Sequence, residues 1–286
     1  MNEIGERLQL YARLMRIDRP IGTLLLLWPT LWALWVAGQG HPGPDIICIF
    51  LAGVFVMRAA GCVVNDYADR NLDPFVERTR QRPLATGQVS SKEALILFVV
   101  LCLSALALVL MLNRLTIFLS LVGIILAITY PFFKRFTHLP QLYLGLAFSW
   151  GIPMAFAAQS NAVPAVAWWL LLANFLWVVA YDTLYAMVDR EDDLRVGIKS
   201  IAILAGDFDR WLVAVGHLGM LLTLVVVGLQ LELNVYFFTA LVLALGMVFY
   251  QLVISWERDR QRCFEAFLSN AWMGTVIFLG ILLAYL

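Results

Sequence analysis

Apolar residues fill most of this chain in nine long runs, at 20–38, 46–66, 94–112, 115–133, 140–159, 165–187, 210–230, 235–255 and 266–286. Each is close to the length of about 20 residues that a helix needs to cross a bilayer's hydrocarbon. Little chain is left between the runs for a separate soluble domain. The pattern predicts an all-α integral membrane protein of nine transmembrane helices, with residues 1–286 forming a single domain.

Composition agrees with a lipid environment. The chain is 62% hydrophobic and 14% charged, whereas soluble domains carry about 25% charged residues. The formal net charge is zero, which removes bulk attraction to nucleic acid. The distribution of charge is more informative. Of the 20 Lys and Arg residues, 18 fall in the N-terminal segment and in alternate connections, leaving Arg114 on the other side and Arg58 inside the second run. Because basic residues favour the cytoplasmic face, the N-terminus is expected in the cytoplasm and the C-terminus outside, in a bacterial inner membrane. That requires an odd number of spans. The charged beginning has no small-residue cleavage site before its first apolar run, so no removable signal peptide is expected. Cys48, Cys62, Cys102 and Cys263 form no CxxC pair and read as packing residues.

Two connections, roughly 67–93 and 188–209, are long and acid-rich where they leave a helix, and both lie on the expected cytoplasmic side. The first begins within N-D-x-x-D-x-x-x-D: Asn65, Asp66, Asp69 and Asp73. If the helix continues through the motif, these four fall within about 100° of one another. Acids at a helix C-terminus oppose its dipole, so an ordinary helix end would favour Lys or Arg. The second stretch, "YDTLYAMVDREDD", spaces Asp182, Tyr185, Asp189 and Asp193 by 3, 4 and 4, with Asp192 off the centre of that face. Asp182 lies within an apolar run, where ionisable groups are costly and functional by default.

Carboxylates without His or Cys partners suit Mg²⁺, which often bridges a few carboxylates to substrate phosphate. No Walker A glycine loop is present. The adjacent Arg78, Arg80 and Arg82, with Lys199 beyond the second motif, supply charge complementary to a diphosphate. A membrane enzyme with such a head-group site has apolar helices in which to lay a lipid tail, so a polyprenyl diphosphate is the expected ligand. Tyr185, Tyr130 and Trp177 are candidate pocket walls.

The stretches "DRPIGTLLLLWPTLWALW", "MRAAGCVVNDYADRNLDPFVERTRQRPLATG", "YPFFKRFTHLPQ" and "YDTLYAMVDREDDLRVGIKS" resemble the UbiA-type membrane prenyltransferases, and "KRFTHLPQ" points to their hydroxybenzoate branch. The resemblance implies nine helices around a central cavity open to the cytoplasm and sideways to lipid. It implies Mg²⁺ at Asp66, Asp69, Asp73, Asp189 and Asp193, with Asn65 facing the cavity. It also implies transfer of a polyprenyl chain from its diphosphate to the ring carbon ortho to the hydroxyl of 4-hydroxybenzoate, in ubiquinone synthesis.

On this reading Asp69, Asp189 and Asn65 carry the chemistry, with Asp189 also a candidate base. Arg78, Arg82, Lys134, Lys199 and Tyr185 bind substrate. Arg58 lies seven residues before Asn65, on the same face and about 10 Å along the helix. It is a candidate partner for the acceptor carboxylate, with Arg135 its rival; pairing with Asp182 is the structural alternative. No obligate protein partner is expected. Another aromatic acceptor within the same superfamily, and a membrane transporter, are the competing functions. The D-G-x-x-A-R signature of CDP-alcohol phosphotransferases is absent.

Overall fold

The computed structural model describes the backbone of residues 3–286 and side chains from residue 5 onward, and helices are its only regular structure among those residues. They are α1 (Glu3–Leu14), α2 (Ile21–Ala37), α3 (Pro44–Asp69), α4 (Ser91–Val109), α5 (Arg114–Phe133), α6 (Pro140–Ser149), α7 (Gly151–Ser160), α8 (Ala165–Val196), α9 (Ile201–Ala205), α10 (Asp209–Gln230), α11 (Val235–Ile254) and α12 (Arg260–Ala284). Lipid offers the backbone no hydrogen-bond partner, and a helix satisfies its own.

Among the described residues, eight spans are long and apolar enough to cross a membrane: α3, α4, α5, α6 with α7, α8, α9 with α10, α11 and α12. The run expected at 20–38 folds as α2, an apolar helix of 17 residues. The run at 140–159 is divided at Trp150. Pro153 lacks the N–H that would bond to the Ser149 carbonyl, and its ring crowds that oxygen, so the break falls one turn before the proline.

The core lies between α2, α7, α8, α10, α11 and α12, where Trp32, Trp177, Phe237 and Met220 are fully buried. In contrast, α4 and α5 carry many exposed leucines and isoleucines, as expected of helices facing lipid. Close approach of α12 to α2 and α8 depends on Gly274. A Cβ there would stand 2.8 Å from the Trp177 ring, and small residues serve this purpose between membrane helices. Trp177 stacks on Trp32 with centroids 5.2 Å apart, and its Nε1 donates to Asn270 Oδ1. That corrects the expectation of Trp177 as a pocket wall: the ring belongs to the core.

Helix length positions the chemistry. The 32 residues of α8 extend about 48 Å, well beyond an apolar core of about 30 Å. The surplus is long enough to carry Asp189, Asp192 and Asp193 out of the hydrocarbon. The 26 residues of α3 do the same for Asp66 and Asp69.

Candidate active site

Asn65, Asp66 and Asp69 occupy the last turns of α3, as the uninterrupted helix requires. Asp73 does not share that face. Pro74 cannot donate to the Arg70 carbonyl, and the chain leaves α3 at Arg70 to form a short 3₁₀ turn over Asp73–Phe75. In the second motif α8 continues without a break, so Asp182, Tyr185, Asp189 and Asp193 keep their helical spacing.

Basic side chains join the two motifs. Arg78, from the loop after α3, donates to both oxygens of Asp189 on α8, with Nε 2.9 Å from Oδ1. Its guanidinium also lies 4.4 Å over the centre of the Tyr185 ring, which packs on Phe267 of α12. Arg82 reaches Asp66 at 3.0 Å and Asp73 at 2.9 Å. Lys134, at the end of α5, donates to Asp69 Oδ2. Arg16, between α1 and α2, donates to Asp66 Oδ1 at 2.6 Å. The sequence counted Arg16 only toward topology; its approach to Asp66 depends on how α1 folds back.

Asp66 and Asp69 are each only 1% exposed. Carboxylates this buried require compensating charge; Arg16 and Arg82 supply it at Asp66 and Lys134 at Asp69. Neutralisation is incomplete at Asp73, whose pKa is raised. Burial is the main cause, opposed by Arg82 and reinforced by Asp69 and Asp66. Asp69 Oδ1 is buried without a hydrogen-bond partner among the described residues.

Other expected residues are more peripheral. Lys199 lies beside the end of α5, where its backbone N–H bonds to the Lys134 carbonyl and its Nζ to the Phe136 carbonyl at 3.3 Å. Arg135 donates to the Ala68 carbonyl, bracing the last turn of α3. Arg80 is exposed. Asp192 points away, pairing with Arg195 and Arg260. Tyr130 approaches Asn65 Oδ1 at 3.5 Å.

Arg58 follows a different course from the acids' partners. It donates to Cys62 Sγ one turn along α3, its Nε is buried without a partner among the described residues, and it lies across Gly22 of α2. No ion pair joins it to Asp182 among the described residues. It borders an apolar cavity of about 440 Å³. Gly61 and Tyr130 border the same end, while Ile49, Phe50 and Leu112 line its far end.

Among the described residues, no three His, Cys, Asp or Glu side chains are gathered in a metal-binding arrangement; the carboxylates of the first motif and Asp189 are turned toward basic partners. The donor set nevertheless fits a hard cation. It is all oxygen, it includes the partnerless Asp69 Oδ1, and its carboxylates lie on elements already joined by Arg78, Arg82 and Lys134.

Comparison with known proteins gives a concordant result. Residues 26–279 match the UbiA prenyltransferase family. A 4-hydroxybenzoate octaprenyltransferase from Methylococcus capsulatus is 55% identical over 285 residues, covering 100% of this chain and 98% of that protein. A UbiA homolog from Aeropyrum pernix superposes with a TM-score of 0.81 at 24% identity, covering 92% of this chain and 98% of the other. A UbiA homolog from Archaeoglobus fulgidus, bound to GPP and Mg²⁺, superposes with a TM-score of 0.75 at 18% identity, covering 96% and 99%.

Proposed function

This chain belongs to the UbiA prenyltransferase family, and we propose that it transfers a polyprenyl chain from polyprenyl diphosphate to the ring carbon ortho to the hydroxyl of 4-hydroxybenzoate, releasing diphosphate, in ubiquinone biosynthesis. The observation that carries this reading is the joining of two acidic motifs at one end of an apolar cavity, in a chain whose full-length relatives are 4-hydroxybenzoate octaprenyltransferases.

Asp66, Asp69, Asp73, Asp189 and Asp193 would hold Mg²⁺, which when bound supplies charge neutralisation for the leaving diphosphate. Arg78, Arg82 and Lys134 are paired with those carboxylates now. With those carboxylates holding the cation, Arg78, Arg82 and Lys134 would be free to bind phosphate oxygens. Arg16 has the same standing through Asp66.

The allylic C1–O bond breaks with its electron pair on the diphosphate. The ring carbon ortho to the hydroxyl bonds to C1, and loss of the ring proton restores aromaticity. Apolar cavity walls exclude the water that would capture the allylic cation. Arg78 donates to both oxygens of Asp189, so a ligand or base role for Asp189 requires that Arg78 first let go of it. Arg58, whose Nε has no partner among the described residues and which borders the cavity, would receive the acceptor's carboxylate, with Asn65 and Tyr130 between it and the acids.

The apolar helices make this an integral membrane protein. Counting α2 as a span gives nine, with the acidic end in the cytoplasm and the C-terminus outside. The direct test incubates the detergent-solubilised protein with Mg²⁺, 4-hydroxybenzoate and octaprenyl diphosphate. The expected products are prenylated 4-hydroxybenzoate and diphosphate in equal amounts. Absence of both would overturn the assignment.

A further inference from the structure

Gly53 and Gly61 lie in the interior of α3, and both line the apolar cavity. A helix interior ordinarily disfavours glycine, so each position invites a reason. A positive φ does not supply one, since neither residue is among those with positive φ. Close packing does not either. A Cβ built at Gly53 or Gly61 meets no heavy atom within 4 Å, whereas one at Gly274 or Gly280 would collide with a neighbour. What the missing side chains preserve is open space.

That space has a direction. Gly61 is four residues from Asn65 and Gly53 twelve, or about 6 Å and about 18 Å along the helix at 1.5 Å per residue. Both therefore lie on the path from the acidic end toward Phe50 and Leu112. Further along this wall, Leu103, Leu106 and Leu121 border the cavity while remaining exposed at 59%, 44% and 53%. The cavity thus borders the lipid-facing surface between α4 and α5. Its volume of about 440 Å³ is apolar through most of its length, as a hydrocarbon tail requires.

Building on the donor assignment above, we propose that Gly53 is a specificity-determining residue: the donor's tail runs along α3 past Gly61, and the gap at Gly53 admits the isoprene units distant from the diphosphate. A side chain at position 53 would meet a long tail and leave a short one untouched.

The test compares geranyl diphosphate with octaprenyl diphosphate, each with 4-hydroxybenzoate and Mg²⁺. Gly53→Leu is expected to lower kcat/KM for the octaprenyl donor relative to the geranyl donor by about tenfold or more, the scale on which a hydrophobic pocket discriminates. Gly246→Leu makes the same exchange at an exposed, uncrowded glycine of α11 and is expected to keep the wild-type ratio. A ratio unchanged in Gly53→Leu, or equal losses with both donors, would overturn the proposal. Inactivity of the wild-type protein with both donors would instead overturn the donor assignment. A second measurement does not depend on turnover: alkylation of Gly53→Cys by a small maleimide, read at that position by mass spectrometry. Octaprenyl diphosphate is expected to slow labelling more than geranyl diphosphate. Equal protection, or none, would count against passage of the tail.

Discussion

Asp69 has the most informative surroundings at the residue scale. One of its oxygens accepts from Lys134, and the other is buried without a partner among the described residues. Asp69→Asn keeps the shape but loses the charge. It is expected to reduce prenyl transfer by about 100-fold or more, the loss seen when one preorganised electrostatic contact is removed from an active site. Normal turnover at saturating Mg²⁺ would remove Asp69 from the metal site. Arg58 makes a different prediction. A charge-assisted hydrogen bond contributes about 1.5–3 kcal/mol, so Arg58→Leu is expected to raise KM for 4-hydroxybenzoate by about tenfold or more. KM for the prenyl diphosphate should change much less. An effect on the donor alone would transfer the acceptor role to Arg135, whose guanidinium now serves the Ala68 carbonyl.

Helix boundaries decide where these residues stand. The basic loop after α3 has to return to the bundle at a fixed point if Arg78 and Arg82 are to meet their acids. Ser90 fixes the start of α4: its hydroxyl accepts from the Glu93 N–H while Glu93 accepts from the Ser90 N–H, closing a capping box. Ser90→Ala is expected to cost about 1 kcal/mol of stability, measurable as earlier thermal unfolding in detergent. Turnover at low temperature should persist, because the hydrogen bonds of Ser90 go to Glu93 and not to the carboxylates of either motif. Severe loss of turnover in a folded variant would show that the cap also sets the loop's active geometry. The break at Trp150 is a second boundary effect, and it brings Trp150 and Gly151 to the cavity wall.

The whole molecule places both acidic motifs at the same end, so topology and chemistry are tested together. On the proposed topology of nine spans and a cytoplasmic acidic end, a C-terminal reporter active only in the cytoplasm is expected to stay silent. A strong signal would contradict the count. Chelation of divalent cations should stop turnover reversibly, with recovery on adding Mg²⁺ and none on adding monovalent salt. Continued activity after exhaustive chelation would exclude the metal-dependent reading. Each carboxylate held by Arg78, Arg82, Lys134 or Arg16 has a compensating charge before metal enters. That removes the large cost of burying bare carboxylates and is consistent with a bundle that folds before its ligands bind.

Hydropathy alone determined the membrane class and the helical architecture, because a bilayer admits few other backbone solutions. Motif spacing alone determined that Asp182, Tyr185, Asp189 and Asp193 share a face, since helical geometry is local and α8 is unbroken. The same arithmetic failed at Asp73, where Pro74 interrupts the ladder, and it left Trp177 as a possible wall until packing against Trp32 placed it in the core. Only the tertiary structure decided which cation meets which acid. Arg78 and Asp189 are 111 residues apart, and nothing periodic relates them. It also decided that Gly53 and Gly61 face space and Gly274 a neighbouring ring. Glycine carries no side chain whose chemistry could announce the difference; what surrounds it comes from other helices, and those are brought there by the fold.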